Sequence, residues 1–289
     1  MENKKLKAVF IDIDGVIVGE KIGVNAPLPH HEVCVELNRV HKTVCPVVMC
    51  TSRPSFCVPH IAVACGLDGL HITDGGAIIK NTLSREVVYK KLVNFNDVSD
   101  IMRDMIDAGV YTEVNTTINY FVQKSQVGQI THDHADAFGR LPEQVDDIVD
   151  FARHNEIVGV IFVSTNLEMK QNMFRTLYKH CEGANWDFNV TLAPSIPYAD
   201  FVCITPKGVS KRTTVELMSD EMHVPLGECL GIGDTDGDWK FMDLCGYVAT
   251  LENGTDMLKR KVMERGANGI IGGHVNANGL VDVLKSFCK

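Results

Sequence analysis

The chain has 289 residues, and at roughly 150 residues per domain this length predicts two domains, or one domain with a large insert. Hydrophobic residues make up 45% of the chain and charged residues 22%, which is ordinary for a soluble globular protein and excludes disorder as the main state. The 28 Lys and Arg residues against 37 Asp and Glu residues give a net charge of −9, so we expect no nucleic-acid partner.

Targeting signals and cysteine usage indicate where such a chain resides. No apolar run reaches the roughly 18 to 20 residues that cross a bilayer, and the polar N-terminal segment shows no secretory signal. The ten cysteines lie mostly in apolar stretches and form no CxxC pair. This usage is typical of reduced, buried thiols, so we expect a cytoplasmic protein with no membrane association.

The first part of the chain alternates between apolar runs and an amphipathic segment. The runs at 7–11, 46–50 and 69–73 predict strands buried on both faces of a parallel sheet, and residues 30–41 predict a helix.

The pattern changes near residue 82. Apolar residues beyond this point follow helical spacing in some segments and strand spacing in others, and two short strands are predicted to form a hairpin. The predicted elements are helices at 97–108, 142–154 and 167–180, and strands at 110–115, 119–123, 157–164 and 188–192.

The initial alternation then resumes to the end of the chain. The predicted elements are strands at 200–204, 229–233 and 247–250, and helices at 210–218, 239–244, 255–264 and 280–287. This order predicts an α/β fold, in which residues 1–81 and 193–289 form a Rossmann-like, mostly parallel sheet core. Residues 82–192 are expected to form an inserted α+β domain.

Polar side chains follow several of the predicted core strands. In open α/β sheets, ligands bind at the carboxyl ends of the strands, so these side chains are expected to meet at one edge. They are Asp12, Asp14, Thr51, Ser52, Lys211, Asp234, Asp236 and Asp238.

A cluster of carboxylates cannot remain ionised unaided, because like charges raise each other's pKa. One lysine does not balance them, whereas Mg²⁺ suits a site of carboxylates and water. Residues 12 and 14 of an extended segment point to the same side. Asp12 is therefore expected to attack phosphorus, while Asp14 protonates the leaving oxygen and then activates water.

Four motifs in chain order resemble those of the haloacid dehalogenase-like (HAD) phosphohydrolases, more narrowly the Cof-type members with a large α/β (C2-type) cap. Phe10-Ile-Asp-Ile-Asp-Gly-Val16 is similar to the family's DxDG pattern. Val48-Met-Cys-Thr-Ser-Arg-Pro54 resembles its apolar run ending in TGR, and Ile204-Thr-Pro-Lys-Gly-Val-Ser-Lys211 resembles its lysine segment. Gly233-Asp-Thr-Asp-Gly-Asp238, the fourth motif, resembles GDxxND. Outside the four motifs, Glu252-Asn-Gly254 resembles a later GNA segment of the family.

The resemblance implies roles for these residues. Asp12 is the implied nucleophile and Asp14 the acid/base. Thr51, Ser52 and Lys211 are the implied phosphate-binding residues. The implied Mg²⁺ ligands are the Asp12 carboxylate, the Asp14 backbone carbonyl and Asp234; Asp238 and Asn253 support them.

Two of the motif positions depart from the family pattern. Ser52 stands where the family has Gly, which adds a side chain near the phosphate, and Gly237 replaces the Asn of the fourth motif. The inserted cap is expected to supply substrate specificity.

The sequence therefore predicts a Mg²⁺-dependent phosphatase that hydrolyses a small phosphorylated metabolite through an aspartyl-phosphate intermediate. A sugar phosphate is the first expectation, by family analogy alone. Alternatives are a phosphomutase or phosphotransferase on the same core, a non-catalytic phosphate-binding protein, and a phospho-acceptor signalling module. The oligomeric state is not predicted.

Overall fold

The apolar segment near the start of the chain forms a fully buried strand, as its composition predicts.

The computed structural model of the protein describes residues 6–191, 193 and 195–288. The strands in these residues are β1 Ala8–Ile11, β2 Val47–Met49, β3 Leu70–Thr73, β4 Ile78–Asn81, β5 Val87–Lys90, β6 Tyr111–Asn115, β7 Tyr120–Gln123, β8 Glu143–Val145, β9 Gly159–Ser164, β10 Trp186–Thr191, β11 Asp200–Pro206, β12 Cys229–Ile232, β13 Tyr247–Leu251 and β14 Gly269–Gly272. The α-helices there are α1 His31–Thr43, α2 Val58–Cys65, α3 Phe95–Asp107, α4 Gln129–Phe138, α5 Ile148–His154, α6 Leu167–Cys181, α7 Lys211–Glu221, α8 Trp239–Met242, α9 Asp256–Glu264 and α10 Leu280–Phe287.

Residue contacts divide the chain into two units, which we call the core unit and the cap unit. The core unit comprises Met1–Arg53, Val58–Tyr89 and Ser210–Lys289, and the cap unit comprises Pro54–Cys57 and Lys90–Val209. The predicted boundaries lay at 81/82 and 192/193, and Leu192 is outside the described residues.

The core unit contains a parallel sheet in the order β14-β13-β12-β1-β2. Its register places Ile11 beside both Ile232 and Met49, so the carboxyl ends of three strands lie level with one another. The residues that follow these strands therefore leave the sheet at one edge, as expected for an open parallel sheet.

Alternate residues of β1 pack on opposite faces of this sheet. Val9 and Ile11 lie in an apolar cluster with residues of α1, α2 and α10. Ala8 and Phe10 lie in a second cluster with residues of α7, α8 and α9. Burial on both faces accounts for the continuous apolar runs of the core strands.

The cap unit contains a six-stranded sheet in the order β10-β11-β9-β6-β7-β8, antiparallel except where β7 pairs with β8. Residues of α3 and α6, including Met105 and Leu177, pack on one face. Ile130 and Ala137 of α4 pack on the other. Together, the parallel core and the antiparallel cap make the predicted α/β fold with an inserted α+β cap.

The strand predicted at 200–204 is the main departure in domain assignment. We expected it in the core sheet, but β11 lies between β10 and β9 of the cap sheet and pairs with both in antiparallel fashion. An apolar run shows that a strand is buried and does not show which strands are beside it. The core unit resumes only at Ser210.

Two segments of the cap unit also differ from expectation. Residues 142–154 were predicted as one helix, but they form β8 followed by α5. Asp147 caps the helix, since its side chain accepts hydrogen bonds from Val149 N and Asp150 N at 2.9 Å. The end of the predicted strand at 188–192 falls on Leu192, outside the described residues, while β10 runs from Trp186 to Thr191.

The His132-Asp-His134 segment lies within α4. His134 is buried, and its Nδ1 lies 2.8 Å from Glu113 Oε1.

Within the described ranges, every helix is too short or too polar to cross a bilayer.

Candidate active site

A lysine ammonium joins two carboxylates at the carboxyl edge of the core sheet. Lys211 Nζ lies 2.8 Å from Asp12 Oδ2 and 2.6 Å from Asp238 Oδ1. Lys211 is the first residue of α7, which Ser210 caps by accepting a hydrogen bond from Thr213 N. The predicted convergence of Asp12 with residues from the last third of the chain is therefore present.

The position of Asp12 follows from the pairing of β1 with β12. Asp12 N donates to Ile232 O at 2.9 Å, which continues the parallel pairing by one residue. Asp12 Oδ1 accepts a hydrogen bond from Ile13 N at 2.7 Å, and the side chain is buried. Both oxygens of this carboxylate are therefore oriented, one by the backbone and one by Lys211.

Gly15 allows the loop after β1 to lie against the loop after β12. Its φ of +73° is in the left-handed region, and a Cβ at this position would lie 2.1 Å from Asp234 Oδ2. Only glycine meets both requirements without displacing Asp234. The glycine of the DxDG motif therefore has a steric role in this site.

The carboxylates of Asp12, Asp234 and Asp238 form a close group. Each offers an oxygen within 4.8 Å of the others. Burial raises the pKa of Asp12 to about 7, against the lowering effect of the Lys211 ammonium. Burial and then the nearby Asp238 carboxylate raise the pKa of Asp234 well above its usual value. These two carboxylates thus need positive charge to remain ionised.

Asp238 is held differently from Asp234. Burial alone would raise its pKa, but Lys211 and the hydrogen bonds from Thr235 outweigh that effect, so the pKa of Asp238 is lowered. Its Oδ2 accepts from Thr235 Oγ1 at 2.8 Å and from Thr235 N at 3.0 Å. Asp238 therefore remains an anion that positions Lys211.

The raised pKa of Lys211 completes this charge balance. Burial lowers it, but the carboxylates of Asp12 and Asp238 raise it above its ordinary value. Lys211 is thus a fixed positive charge beside Asp12, the predicted nucleophile.

Asp14 makes a paired contact that the motif spacing does not reveal. Arg53 Nε donates to Asp14 Oδ2 at 2.8 Å, and an Arg53 terminal nitrogen donates to Asp14 Oδ1 at 2.7 Å. The Arg53 side chain is 6% exposed and that of Asp14 is 32% exposed. Both oxygens of the Asp14 carboxylate are thus paired with a buried guanidinium from the loop after β2.

Thr51 and Ser52 follow β2, as predicted. Thr51 is buried, its N–H donates to Ile72 O at 3.0 Å, and its Oγ1 accepts from Arg53 N at 3.0 Å. Ser52 is half-buried in the same loop. The hydroxyl of Thr51 thus orders the loop that carries Arg53, and its own hydrogen remains available for a ligand oxygen.

Asn253 and Asp236 make contacts that tie the site loops together. Asn253 Nδ2 donates to Gly15 O at 2.8 Å. Asp236, one of the polar residues expected at this edge, accepts a hydrogen bond from Thr255 Oγ1 at 2.6 Å. Gly237 is exposed, and a Cβ there would approach Thr235 Oγ1 no closer than 3.5 Å, so a side chain fits at this position.

The residues present fit a hard divalent cation. The group offers only carboxylate oxygens, and burial raises the pKa values of Asp12 and Asp234 although the Lys211 ammonium lowers them. A divalent ion is the compensation that such a donor set favours, and Mg²⁺ takes few protein ligands of this type.

The fold and the acidic edge define the class as a Rossmann-like enzyme with an inserted cap. The sequence profile of the haloacid dehalogenase-like hydrolases matches residues 9–284, so the chain belongs to that family of hydrolases. Among curated protein sequences, none matches this chain.

Solved structures share the whole fold at low sequence identity. A haloacid dehalogenase-like hydrolase from Bacteroides thetaiotaomicron has a TM-score of 0.80 at 16% identity, covering 98% of this chain and 99% of that one. A HAD phosphatase from the same bacterium has a TM-score of 0.73 at 18% identity, with coverage of 99% and 96%. A sugar phosphatase of HAD subclass IIB has a TM-score of 0.75 at 18% identity, with coverage of 97% and 98%.

Proposed function

We propose that this protein is a phosphatase that hydrolyses a small phosphorylated metabolite through a phosphoryl group carried on Asp12. The observation that carries the proposal is the Lys211 ammonium between Asp12 and Asp238, at 2.8 and 2.6 Å. A buried carboxylate held beside a fixed cation at the open edge of a parallel sheet is suited to attack an electrophile that bears negative oxygens.

In the first step, an Asp12 oxygen forms a bond to phosphorus as the bond from phosphorus to the leaving oxygen breaks. Asp14, two residues along the same loop, supplies the proton that the leaving oxygen takes up. Lys211 and the Thr51 hydroxyl bind oxygens of the transferring group and stabilise the charge that develops on them. Arg53 keeps the Asp14 carboxyl in one orientation.

In the second step, water attacks the phosphorus held on Asp12. The Asp14 carboxylate accepts a proton from that water, and the Asp12 carboxylate is regenerated as inorganic phosphate forms. Asp14 thereby returns to the protonation state in which it began, so one carboxyl group serves both halves of the reaction.

Mg²⁺ would be held by the carboxylates of Asp12 and Asp234, with the Asp14 backbone carbonyl that the family resemblance implies. When bound, it supplies positive charge that lets a phosphate dianion approach a carboxylate. Asp238 is the supporting residue that the family resemblance implies, and its hydrogen bonds to Lys211 and Thr235 hold Lys211 beside Asp12.

A sugar phosphate is the substrate class we propose first. The support is the family membership together with the fold likeness to a sugar phosphatase of HAD subclass IIB. Specificity would then come from cap residues, since the core residues described above serve the phosphoryl group.

The test is release of inorganic phosphate from p-nitrophenyl phosphate and from a panel of sugar phosphates, with Mg²⁺ and with EDTA. We expect turnover with Mg²⁺, its loss in EDTA, and its return when Mg²⁺ is restored. Turnover that continues unchanged in EDTA would exclude the proposed dependence on Mg²⁺. Transfer of the phosphoryl group to a second site on a sugar without phosphate release would identify a mutase instead.

A further inference from the structure

Two cysteine side chains of the core unit, one on α1 and one on α2, are in direct contact. Cys34 lies in the first turn of α1 and Cys65 is the last residue of α2. The Cys65 thiol donates a hydrogen bond to the Cys34 sulfur, with a distance of 3.2 Å between the two sulfur atoms. Both residues are buried, and 31 positions of the chain separate them.

Other contacts hold these two helices together around the sulfur pair. Asn38 Nδ2 donates to Gly66 O at 3.1 Å, one residue beyond Cys65. At the far end of α1, His41 Nε2 and Lys42 Nζ each lie 2.6 Å from an oxygen of Asp68. A disulfide needs a sulfur separation of about 2.05 Å, so the two sulfurs need to approach each other by roughly 1 Å.

The hydrogen bond makes the two thiols unequal. It lowers the pKa of Cys34, which accepts the bond, and it raises the pKa of Cys65, which donates it. Cys34 is also the more accessible residue, at 8% exposure against 1% for Cys65. Because the thiolate is the reactive form, Cys34 is the sulfur that meets an oxidant first.

We propose that Cys34 and Cys65 form a reversible disulfide that joins α1 to α2 when the protein meets a peroxide. The Cys34 thiolate attacks one oxygen of hydrogen peroxide, the O–O bond breaks, and hydroxide leaves and takes up the proton lost by Cys34. The Cys65 thiol then attacks the Cys34 sulfenic acid, a sulfur–sulfur bond forms, and water leaves with the Cys65 proton. Two thiols are oxidised by two electrons, and one peroxide is reduced to two waters.

The disulfide would close a loop that contains β2 and the segment after it. Closing such a loop restricts the unfolded chain far more than the folded one, in which the sulfurs are already adjacent. We therefore expect oxidation to raise the melting temperature by roughly 5 °C, and a thiol reductant to reverse the rise. This inference is independent of the proposed phosphatase activity.

The experiment treats the reduced wild-type protein with a small excess of hydrogen peroxide, blocks remaining thiols and digests it without reductant. Trypsin yields a peptide of residues 22–39 with Cys34 and a peptide of residues 43–80 with four cysteines. We expect these peptides to be joined, and fragmentation in the mass spectrometer to assign the bond to Cys65. Dithiothreitol should separate them.

Matched variants isolate the pair. Cys34→Ala and Cys65→Ala should each abolish the joined peptides and the thermal shift, whereas Cys181→Ser, which removes a cysteine of α6, should retain both. The digest of the wild-type protein shows whether Cys34 and Cys65 are joined even if a variant folds poorly. Peroxide treatment that yields only sulfinic acid at Cys34, a bond to another cysteine of the second peptide, or links between chains would overturn the proposal.

Discussion

Arg53 holds both carboxylate oxygens of Asp14 through two hydrogen bonds of 2.8 and 2.7 Å. Two parallel bonds of this kind set the plane of the carboxylate as well as its position. Arg53 is buried and its backbone N–H is bonded to Thr51, so the guanidinium is itself held by the loop after β2. The proposed acid/base is therefore oriented by a residue from a different strand end.

Arg53→Ala should lower kcat/KM for p-nitrophenyl phosphate by roughly 10- to 100-fold, because Asp14 loses its fixed orientation while the nucleophile is untouched. Arg53→Lys retains the charge but only one of the two bonds, so it should recover part of the activity. The pH profile of kcat/KM should also change its shape. The control is Arg103→Ala, which removes an exposed ion pair with Asp100 in the cap unit. An unchanged pH profile in Arg53→Ala would contradict the role of Arg53 in positioning Asp14.

Asp12→Asn should abolish phosphate release, by more than about 10³-fold, since an amide oxygen is a poor nucleophile. It should also abolish labelling of the protein by radioactive phosphoryl donor in a rapid acid quench. Asp220→Asn, an exposed substitution on α7, should behave as the wild type does. Substantial turnover by Asp12→Asn would require a different nucleophile.

Lys211→Met should destabilise the protein when metal is removed. The ammonium separates Asp12 from Asp238, and breaking such a buried pair costs about 3 kcal/mol or more. Urea unfolding in EDTA measures this difference. Lys90→Met, at the exposed pair with Glu156, should cost less than about 1 kcal/mol. Equal stability of the two variants would show that Lys211 is not needed to balance the buried carboxylates.

Gly15→Ala should damage both stability and turnover, because the new methyl group would meet Asp234 at 2.1 Å and displace it. Gly23 is a matched control: its φ of +80° carries the same backbone strain, but nothing lies within 4 Å of a Cβ there. Gly23→Ala should cost only about 1 kcal/mol in urea unfolding and leave kcat unchanged. Similar kinetics in the two variants would contradict the steric role of Gly15.

His71 should make the protein sensitive to acid. Burial lowers the pKa of His71 to about 4 from an unfolded value of 6.5, and its Nδ1 accepts a hydrogen bond from Met49 N. The unfolded chain therefore binds a proton more readily between pH 6.5 and 4, so stability is full above the unfolded pKa and falls as the pH drops through this window.

The size of this effect can be measured against a variant that does not titrate. Between pH 7.5 and 5.0, the wild type should lose about 2 kcal/mol more unfolding free energy than His71→Asn does. Urea titrations at the two pH values give the comparison. An equal loss in both proteins would mean that His71 is protonated in the folded state or does not contribute.

Much of the site could be predicted because its residues follow strand ends. Asp12, Thr51 and Asp234 each come directly after, or within two residues of, an apolar run, and parallel strands end at one edge whatever the details of packing. The helix that Ser210 caps, and the antiparallel hairpin of β6 and β7, also follow from local patterns. Periodicity and capping are properties of neighbouring residues, and a sequence displays them directly.

Tertiary packing decided the rest. The chain alone did not show that Arg53 would pair with Asp14, that Asp238 would hold Lys211, or that β11 would join the cap sheet. Each of these depends on which distant segment lies alongside, and many arrangements bury the same apolar area. Hydrogen bonds and charge pairs between distant segments select among those arrangements. These contacts can be identified only in the folded structure, where the segments lie side by side.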